Sequence, residues 1–136
     1  MTPPLNIMVV DDSLIMAQKL SLLLRGLGHE VVRVCKNGTE AIQSYPICKP
    51  HLVTMDITMP EMDGITAMTA ILGENPHARI LMVTSHGQEA MVVRALDAGA
   101  LGYVLKPVTA AGLEKSIRRA MEQTSREATE VKQRSA

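Results

Sequence analysis

Five polar side chains each follow a short apolar run of the sequence, and their chemistry suits a divalent cation and a phosphoryl group. The side chains are Asp11, Asp12, Asp56, Thr84 and Lys106, and the runs before them are residues 5–10, 52–55, 80–83 and 101–105. If the runs are parallel strands of one sheet, all five groups lie at one edge, where such sheets bind ligands. Clustered carboxylates raise one another's pKa and need a counter-charge, and Mg²⁺ prefers such oxygen ligands. An aspartate can also be a nucleophile toward a phosphoryl group, whose charge a cation and a lysine then stabilise.

The composition is that of one globular domain. The chain has 136 residues, of which 46% are hydrophobic and 21% charged, enough to bury a single core. Fourteen basic residues balance fourteen acidic ones, so no global charge attracts the chain to nucleic acid or to a membrane. The apolar runs are too short for a membrane span, and no signal-peptide pattern is present at the start. We therefore expect a cytoplasmic protein in which Cys35 and Cys48 are reduced thiols.

Strand-like and helix-like segments alternate along the chain as far as residue 121. The strands are predicted at 5–10, 30–35, 52–55, 80–83 and 101–105, and the helices at 13–28, 39–45, 64–72, 88–98 and 109–121. Pro46 is expected to stop the second helix. This alternation predicts a parallel sheet covered by helices on both faces, in one domain of residues 1–121. Residues 122–136 are polar and are expected to form a tail, a helix extension or a linker.

Four separated motifs resemble the receiver domain of two-component response regulators. In chain order they are Val9-Val10-Asp11-Asp12-Ser13, Met55-Asp56-Ile57-Thr58-Met59-Pro60-Glu61-Met62-Asp63-Gly64, Val83-Thr84-Ser85 and Gly102-Tyr103-Val104-Leu105-Lys106-Pro107. One motif alone would be weak, but four in this order are specific, and they span roughly residues 5–121. The segment around Asp56 is particularly similar to single-domain chemotaxis regulators. The resemblance implies a flavodoxin-like, doubly wound, five-stranded parallel sheet of order 2-1-3-4-5 with five helices.

The resemblance also implies how the acidic residues act. Asp56 would be the phosphoacceptor. Mg²⁺ would be bound directly by Asp12, partly through water by Asp11, and by Asp56 and the backbone carbonyl of Thr58. The side chain of Thr58 would flank the phosphoryl group and tune its hydrolysis, together with His86.

The remaining implied roles concern the response to phosphorylation. Lys106 would pair with the phosphoryl oxygens, and its peptide bond to Pro107 would be cis. Thr84 would donate its hydroxyl to the phosphoryl group and move toward it. Tyr103 would then turn inward behind Thr84 and alter the face formed by the fourth helix, the fifth strand and the fifth helix.

The fourth predicted helix has too many apolar residues for one core-facing stripe, so part of it is expected to be exposed. The residues chosen for a partner-binding face are Met91, Val92 and Leu96, with Tyr103 beside them. Methionine and tyrosine suit adaptable recognition of a protein partner. Half-buried packing against neighbouring loops is the structural alternative.

Each candidate residue also has a purely structural interpretation. An Asp pair before a helix often serves as an N-cap and a dipole partner. Thr84 could bond only to backbone at a strand end, and Lys106 could be a solvated loop lysine. Tyr103 could pack on the surface, and His86 could be an exposed loop imidazole.

Three more histidines, His29, His51 and His77, lie in connections and are expected to be solvated. No histidine pair has the spacing of a zinc site.

The function that these observations favour is a phosphorylation-controlled switch rather than an enzyme with an external substrate. A histidine kinase would supply the phosphoryl group, and a downstream protein would bind the altered face. We expect a monomer or weak dimer, with no direct nucleic-acid or membrane partner.

Three other classes remain open. A receiver fragment of a larger regulator would continue into a DNA-binding or catalytic domain. A haloacid-dehalogenase-like phosphatase would need its nucleophile in a DxDx[TV] run on the first strand, which Asp11-Asp12-Ser13-Leu14-Ile15 does not provide. A nucleotide-binding flavodoxin-like module would need a glycine-rich phosphate loop after that strand, and the sequence has none there.

Overall fold

The computed structural model describes residues 3–123, in which five strands alternate with five helices. The strands are β1 (Asn6–Val10), β2 (Glu30–Cys35), β3 (Leu52–Asp56), β4 (Ile80–Thr84) and β5 (Tyr103–Leu105). The helices are α1 (Leu14–Gly26), α2 (Gly38–Cys48), α3 (Gly64–Glu74), α4 (Glu89–Ala98) and α5 (Ala110–Glu122). Of the predicted tail 122–136, all but Glu122 and Gln123 lies outside the described residues.

The strands form a single sheet in the order β2-β1-β3-β4-β5, and every neighbouring pair is parallel. The predicted fold class and strand order are therefore confirmed. Strands β3 and β4 are buried along their whole length, as expected for inner strands covered on both faces. Because the strands are parallel, all five carboxyl ends lie at one edge.

The two faces of the sheet carry separate hydrophobic clusters. Since alternate strand residues point to opposite faces, Met8 and Val10 of β1 join one cluster while Ile7 and Val9 join the other. Helices α2, α3 and α4 cover the first cluster, and α1 and α5 cover the second. The chain has no Phe or Trp, and the adaptable side chain of methionine fills much of the first cluster. Its buried methionines are Met8, Met55, Met59, Met68 and Met82.

Helix α2 continues through Pro46 to Cys48, so the prediction that Pro46 ends this helix is wrong. The proline lies in the last turn, where it removes a single backbone donor. The helix ends instead at Lys49, whose left-handed φ of 45° turns the chain. The N–H of Lys49 donates to the carbonyl of Tyr45 at 2.9 Å and closes the final turn.

No helix within residues 3–123 combines the length and the apolar character needed to cross a membrane.

Two histidines hold the start of β1. The Leu5 N–H donates to Nδ1 of His29 at 3.1 Å, and the Asn6 N–H donates to Nδ1 of His51 at 2.9 Å. His51 is exposed as expected, but His29 is buried, so the prediction that His29 is solvated is wrong. Burial lowers the pKa of His29 and the carboxylate of Glu114 opposes this effect. The hydrogen bond from Leu5 requires an unprotonated Nδ1, which also favours the neutral ring.

The contribution of His29 to the stability of the fold should therefore decrease in mild acid. Below the usual histidine pKa of 6.5, the unfolded chain binds a proton at residue 29 that the folded chain does not, so the free energy of unfolding decreases as the pH falls. We expect the stability of His29→Gln, relative to the wild type, to be higher at about pH 5.5 than at about pH 7.5 when both are measured by urea unfolding. His77→Gln, in an exposed loop, is the matched control and should keep the wild-type difference. An equal pH dependence in His29→Gln and wild type would contradict this account.

Candidate functional site

The carboxyl edge of the sheet brings together the five polar residues predicted from the sequence. Asp56 and Thr84 are the last residues of β3 and β4, while Asp11 and Lys106 directly follow β1 and β5. Backbone hydrogen bonds extend past the strands and hold this edge. Asp11 N–H donates to Cys35 O at 3.0 Å, and Lys106 N–H donates to Thr84 O at 2.8 Å. The functional side chains are thus attached to strand ends that backbone hydrogen bonds join to their neighbours.

Three carboxylates form the centre of the site. Asp11, Asp12 and Asp56 each offer an oxygen, and these oxygens all lie within 4.8 Å of one another. Asp11 and Asp56 are buried, whereas Asp12 is exposed, so the cluster opens to solvent on one side. Asp11 also accepts a hydrogen bond from the Ser13 N–H at 2.9 Å, and Ser13 caps helix α1. The N-cap role is therefore taken by Ser13 and leaves the Asp12 carboxylate available.

Among residues 3–123, one ammonium group lies against this cluster. Lys106 Nζ is 3.5 Å from Asp11 Oδ2 and 3.7 Å from Asp56 Oδ1. The Lys106–Pro107 peptide bond is cis. A single lysine cannot neutralise three carboxylates, so the site retains excess negative charge.

The pKa of Asp56 is raised from its usual 3.8 to about 7. Burial is the largest cause, and the Asp11 and Asp12 carboxylates also raise this pKa, whereas the Lys106 ammonium lowers it. Close to neutral pH, Asp56 is therefore only partly ionised. A hard dication would favour the ionised form, and three clustered carboxylates with one open side are ligands that Mg²⁺ accepts. The residues present thus fit a magnesium ion.

A hydrogen-bonded chain that the sequence did not predict connects two loops beside the cluster. Thr84 Oγ1 donates to Gln88 Oε1 at 2.6 Å, and Gln88 Nε2 donates to Thr58 Oγ1 at 2.6 Å. The sequence pattern predicts Gln88 only as the first residue of the fourth helix. In the sequence, the preceding Gly87 is the one feature that points to this contact. Its φ is +90°, and after this turn Gln88 lies next to Thr84.

The residues predicted for a partner face are only partly exposed. Leu96 and Tyr103 are 41% and 45% exposed, and Met91 is half-buried. Val92 is buried, so the prediction that it belongs to the exposed face is wrong. The helical period places Val92 with Ala95 on the side of α4 that packs on the core. Val93 takes the outward position and is 57% exposed.

Tyr103 and His86 line one groove of about 270 Å³ between α4 and β5. His86 is exposed in the β4–α4 loop.

Comparison with known protein families agrees with the fold and the site described above. The model of the response regulator receiver domain family matches residues 7–118. The chain belongs to the response regulator receiver domain family.

Receiver domains of chemotaxis proteins are among its similar relatives. The chemotaxis protein CheY of Bacillus subtilis is 45% identical over 105 residues, which cover 77% of this chain and 88% of CheY. The response regulator domain of Thermotoga maritima CheB has a TM-score of 0.81 and 33% identity, covering 89% of this chain and 98% of that domain. CheY in a CheX–CheY–BeF3–Mg²⁺ complex from Borrelia burgdorferi has a TM-score of 0.79 and 32% identity, covering 84% of this chain and 87% of that one.

Gly64 allows the receiver domain to fold tightly behind Asp56. A Cβ at position 64 would lie against the carbonyl oxygen of Asp56, closer than van der Waals contact allows, and 3.0 Å from Ile57 Cα. The Gly64 N–H donates to Ile57 O at 2.7 Å. The obstacle is backbone, which cannot move without displacing Asp56.

Removing the charge of Asp56 should stabilise the receiver domain. Between pH 3.8 and about 7, folded Asp56 keeps a proton that the unfolded chain has lost, so the free energy of unfolding decreases as the pH rises through this window. Asp56→Asn has no carboxyl group to ionise at this position. Above pH 7 it should therefore be more stable than the wild type by on the order of 2 kcal/mol. Urea unfolding in metal-free buffer at several pH values measures this difference. Asp97→Asn, on the exposed surface of α4, should show no gain, and an unchanged stability of Asp56→Asn would contradict the account.

Substitution of Gly64 should damage both the fold and the site. Gly64→Ala forces the Asp56 backbone to move, and we expect a loss of about 1–3 kcal/mol in the free energy of unfolding. Gly73→Ala is the matched control, because Gly73 lies in the same helix with nothing within 4 Å of its added Cβ. It should gain up to about 1 kcal/mol. Denaturant unfolding of the two variants checks this, and equal stabilities would show that the close approach is unimportant.

Proposed function

We propose that this receiver domain accepts a phosphoryl group on Asp56 from a histidine kinase and responds by changing a partner-binding face. One observation supports this most strongly. Three carboxylate oxygens lie within 4.8 Å of one another, and one lysine ammonium lies 3.5 and 3.7 Å from two of these carboxylates. Such a site lacks positive charge and gains stability from both a dication and a phosphoryl group bound to it.

The acidic residues would hold Mg²⁺ and provide the nucleophile. Asp11, Asp12 and Asp56, with the backbone carbonyl of Thr58, would be the ligands. When bound, the ion supplies positive charge that neutralises carboxylate and phosphoryl oxygens. An Asp56 carboxylate oxygen attacks the phosphorus as the phosphorus–nitrogen bond of the donor phosphohistidine breaks, and the electron pair stays on the donor nitrogen. Water later attacks the phosphorus, which releases inorganic phosphate and restores the carboxylate.

Lys106 and Thr84 would hold the phosphoryl group once it is attached. Lys106 Nζ already lies 3.7 Å from Asp56 Oδ1, so a phosphoryl oxygen on Asp56 is within its reach. Thr84 is buried at the end of the neighbouring strand, and its hydroxyl would donate to a second oxygen. Thr58 and His86, which come two residues after Asp56 and Thr84, would tune hydrolysis.

The response would pass from Thr84 to the outer side of α4 and β5. Tyr103 is 45% exposed and lines the groove of about 270 Å³ there. Movement of Thr84 toward the phosphoryl group makes room for the ring to turn inward. Met91, Val93, Leu96 and Tyr103 would then present a different surface to a downstream protein.

The same family membership supports a proposal for the wider setting of the protein. We propose a phosphorylation switch in chemotaxis-type two-component signalling, located in the cytoplasm, acting as a monomer or weak dimer without turnover of an external substrate. Nucleic-acid binding would belong to separate proteins or domains.

Intact-mass measurement after incubation with acetyl phosphate and Mg²⁺ tests the proposal. Wild-type protein should gain the mass of one phosphoryl group, hydroxylamine should remove it, and a chelator should prevent it. Asp56→Asn should show no gain, whereas Asp97→Asn should behave as wild type. A wild type that gains no mass, or a gain that persists in Asp56→Asn, would refute the assignment of Asp56 as phosphoacceptor.

A further inference from the structure

The Thr84 hydroxyl is already bonded within the protein. It donates to Gln88 Oε1 at 2.6 Å, and within residues 3–123 its one other acceptor contact, with the Ser85 carbonyl, is 3.5 Å long. A hydroxyl has one proton and can make one strong donor bond at a time. A phosphoryl oxygen on Asp56 can therefore receive this proton only after the bond to Gln88 is broken.

The carboxamide of Gln88 is held in place by both of its ends. Its Nε2 donates to Thr58 Oγ1 at 2.6 Å, while its Oε1 also receives a weaker contact from the Ser85 N–H at 3.4 Å. The Ser85 N–H can only donate, so it favours the orientation in which the amide oxygen, and not the nitrogen, faces Thr84. The side chain thus connects the loop that follows β3 to the loop that follows β4.

The side chain of Gln88 performs no helix-capping task that would explain this position. Gln88 is the N-cap residue of α4, yet its side chain makes no capping hydrogen bond. Helices α1, α2, α3 and α5 are capped by Ser13, Asn37, Asp63 and Thr109, and each of these side chains accepts a hydrogen bond from a backbone N–H of the first turn. The turn at Gly87, with φ +90°, directs residue 88 back to Thr84 instead.

We propose that Gln88 is a positioning residue that holds the Thr84 hydroxyl away from Asp56 and so weakens the binding of a phosphoryl group. This inference rests on the proposed function, because it requires Thr84 to act on a group attached to Asp56. Phosphorylation would have to exchange the Thr84–Gln88 bond for a Thr84–phosphoryl bond. The free energy of the Gln88 hydrogen bonds stabilises the unphosphorylated conformation.

The size of the effect follows from the number of bonds exchanged. A net intramolecular hydrogen bond changes an equilibrium by a factor of about 2 to 10, so removing the Gln88 contacts should tighten phosphoryl binding by about 3- to 10-fold. Gln88→Met keeps the length of the side chain and removes both its donor and its acceptor. The replacement is not expected to unfold the protein, since residue 88 lies in a partly exposed loop.

Calorimetric titration with beryllofluoride at saturating Mg²⁺ provides the test, with beryllofluoride as the probe for the phosphoryl group. Four proteins form a double-mutant cycle: wild type, Gln88→Met, Thr84→Val and the double variant. We expect Gln88→Met to bind about 3- to 10-fold more tightly than wild type, and to make no difference in the Thr84→Val background. Gln43→Met, on the exposed surface of α2, is the matched control and should bind as wild type does.

Two results would overturn the positioning role while leaving the proposed function intact. One is an affinity of Gln88→Met that equals or falls below that of wild type. The other is the same tightening in the Thr84→Val background, because Gln88 would then act without Thr84. A wild type that binds no beryllofluoride, or an Asp56→Asn variant that binds it normally, would instead refute the proposed function and the positioning role with it.

Discussion

The constraint on which the rest of the structure depends is the close approach of three carboxylates, with the Lys106 ammonium group against two of them. The parallel sheet forces this approach, because the ends of β1 and β3 are neighbours and cannot separate without breaking the sheet. The carboxylate oxygens within 4.8 Å of one another are a consequence of that geometry. Burial raises the pKa of Asp56 to about 7, and the neighbouring carboxylates also raise it. The site is thus short of positive charge, which Mg²⁺ would supply.

Two kinds of support surround this charge cluster, and they differ in how easily they can change. Gly64 and the backbone hydrogen bonds at the strand ends hold Asp56 rigidly from behind. The contacts of Thr84 with Gln88, and of Gln88 with Thr58, join side chains of two loops and can be exchanged one for one. A rigid acceptor beside an exchangeable hydroxyl is an arrangement in which a local change of charge can favour a second conformation.

Features that depend on the local sequence pattern and on the parallel sheet could be predicted from the sequence. The environment of a side chain could not be predicted where it depends on packing. The strands and the residues at their ends follow from apolar runs, so Asp11, Asp56 and Lys106 were found. Burial of His29, exposure of Val93 rather than Val92, and continuation of α2 through Pro46 depend on contacts that composition does not reveal. The Gln88 contacts need two loops brought together in three dimensions, and only the turn at Gly87 hinted at them.

Titration with Mg²⁺ tests the central claim most directly, since it asks whether the three carboxylates act as one site. Isothermal calorimetry of the wild type, without any phosphodonor, should show one saturable site. Asp12→Asn removes the exposed carboxylate without disturbing the buried pair, and it should weaken binding at least about tenfold. Asp97→Asn should bind as the wild type does. No saturable binding in the wild type, or equal affinity in Asp12→Asn, would contradict the account.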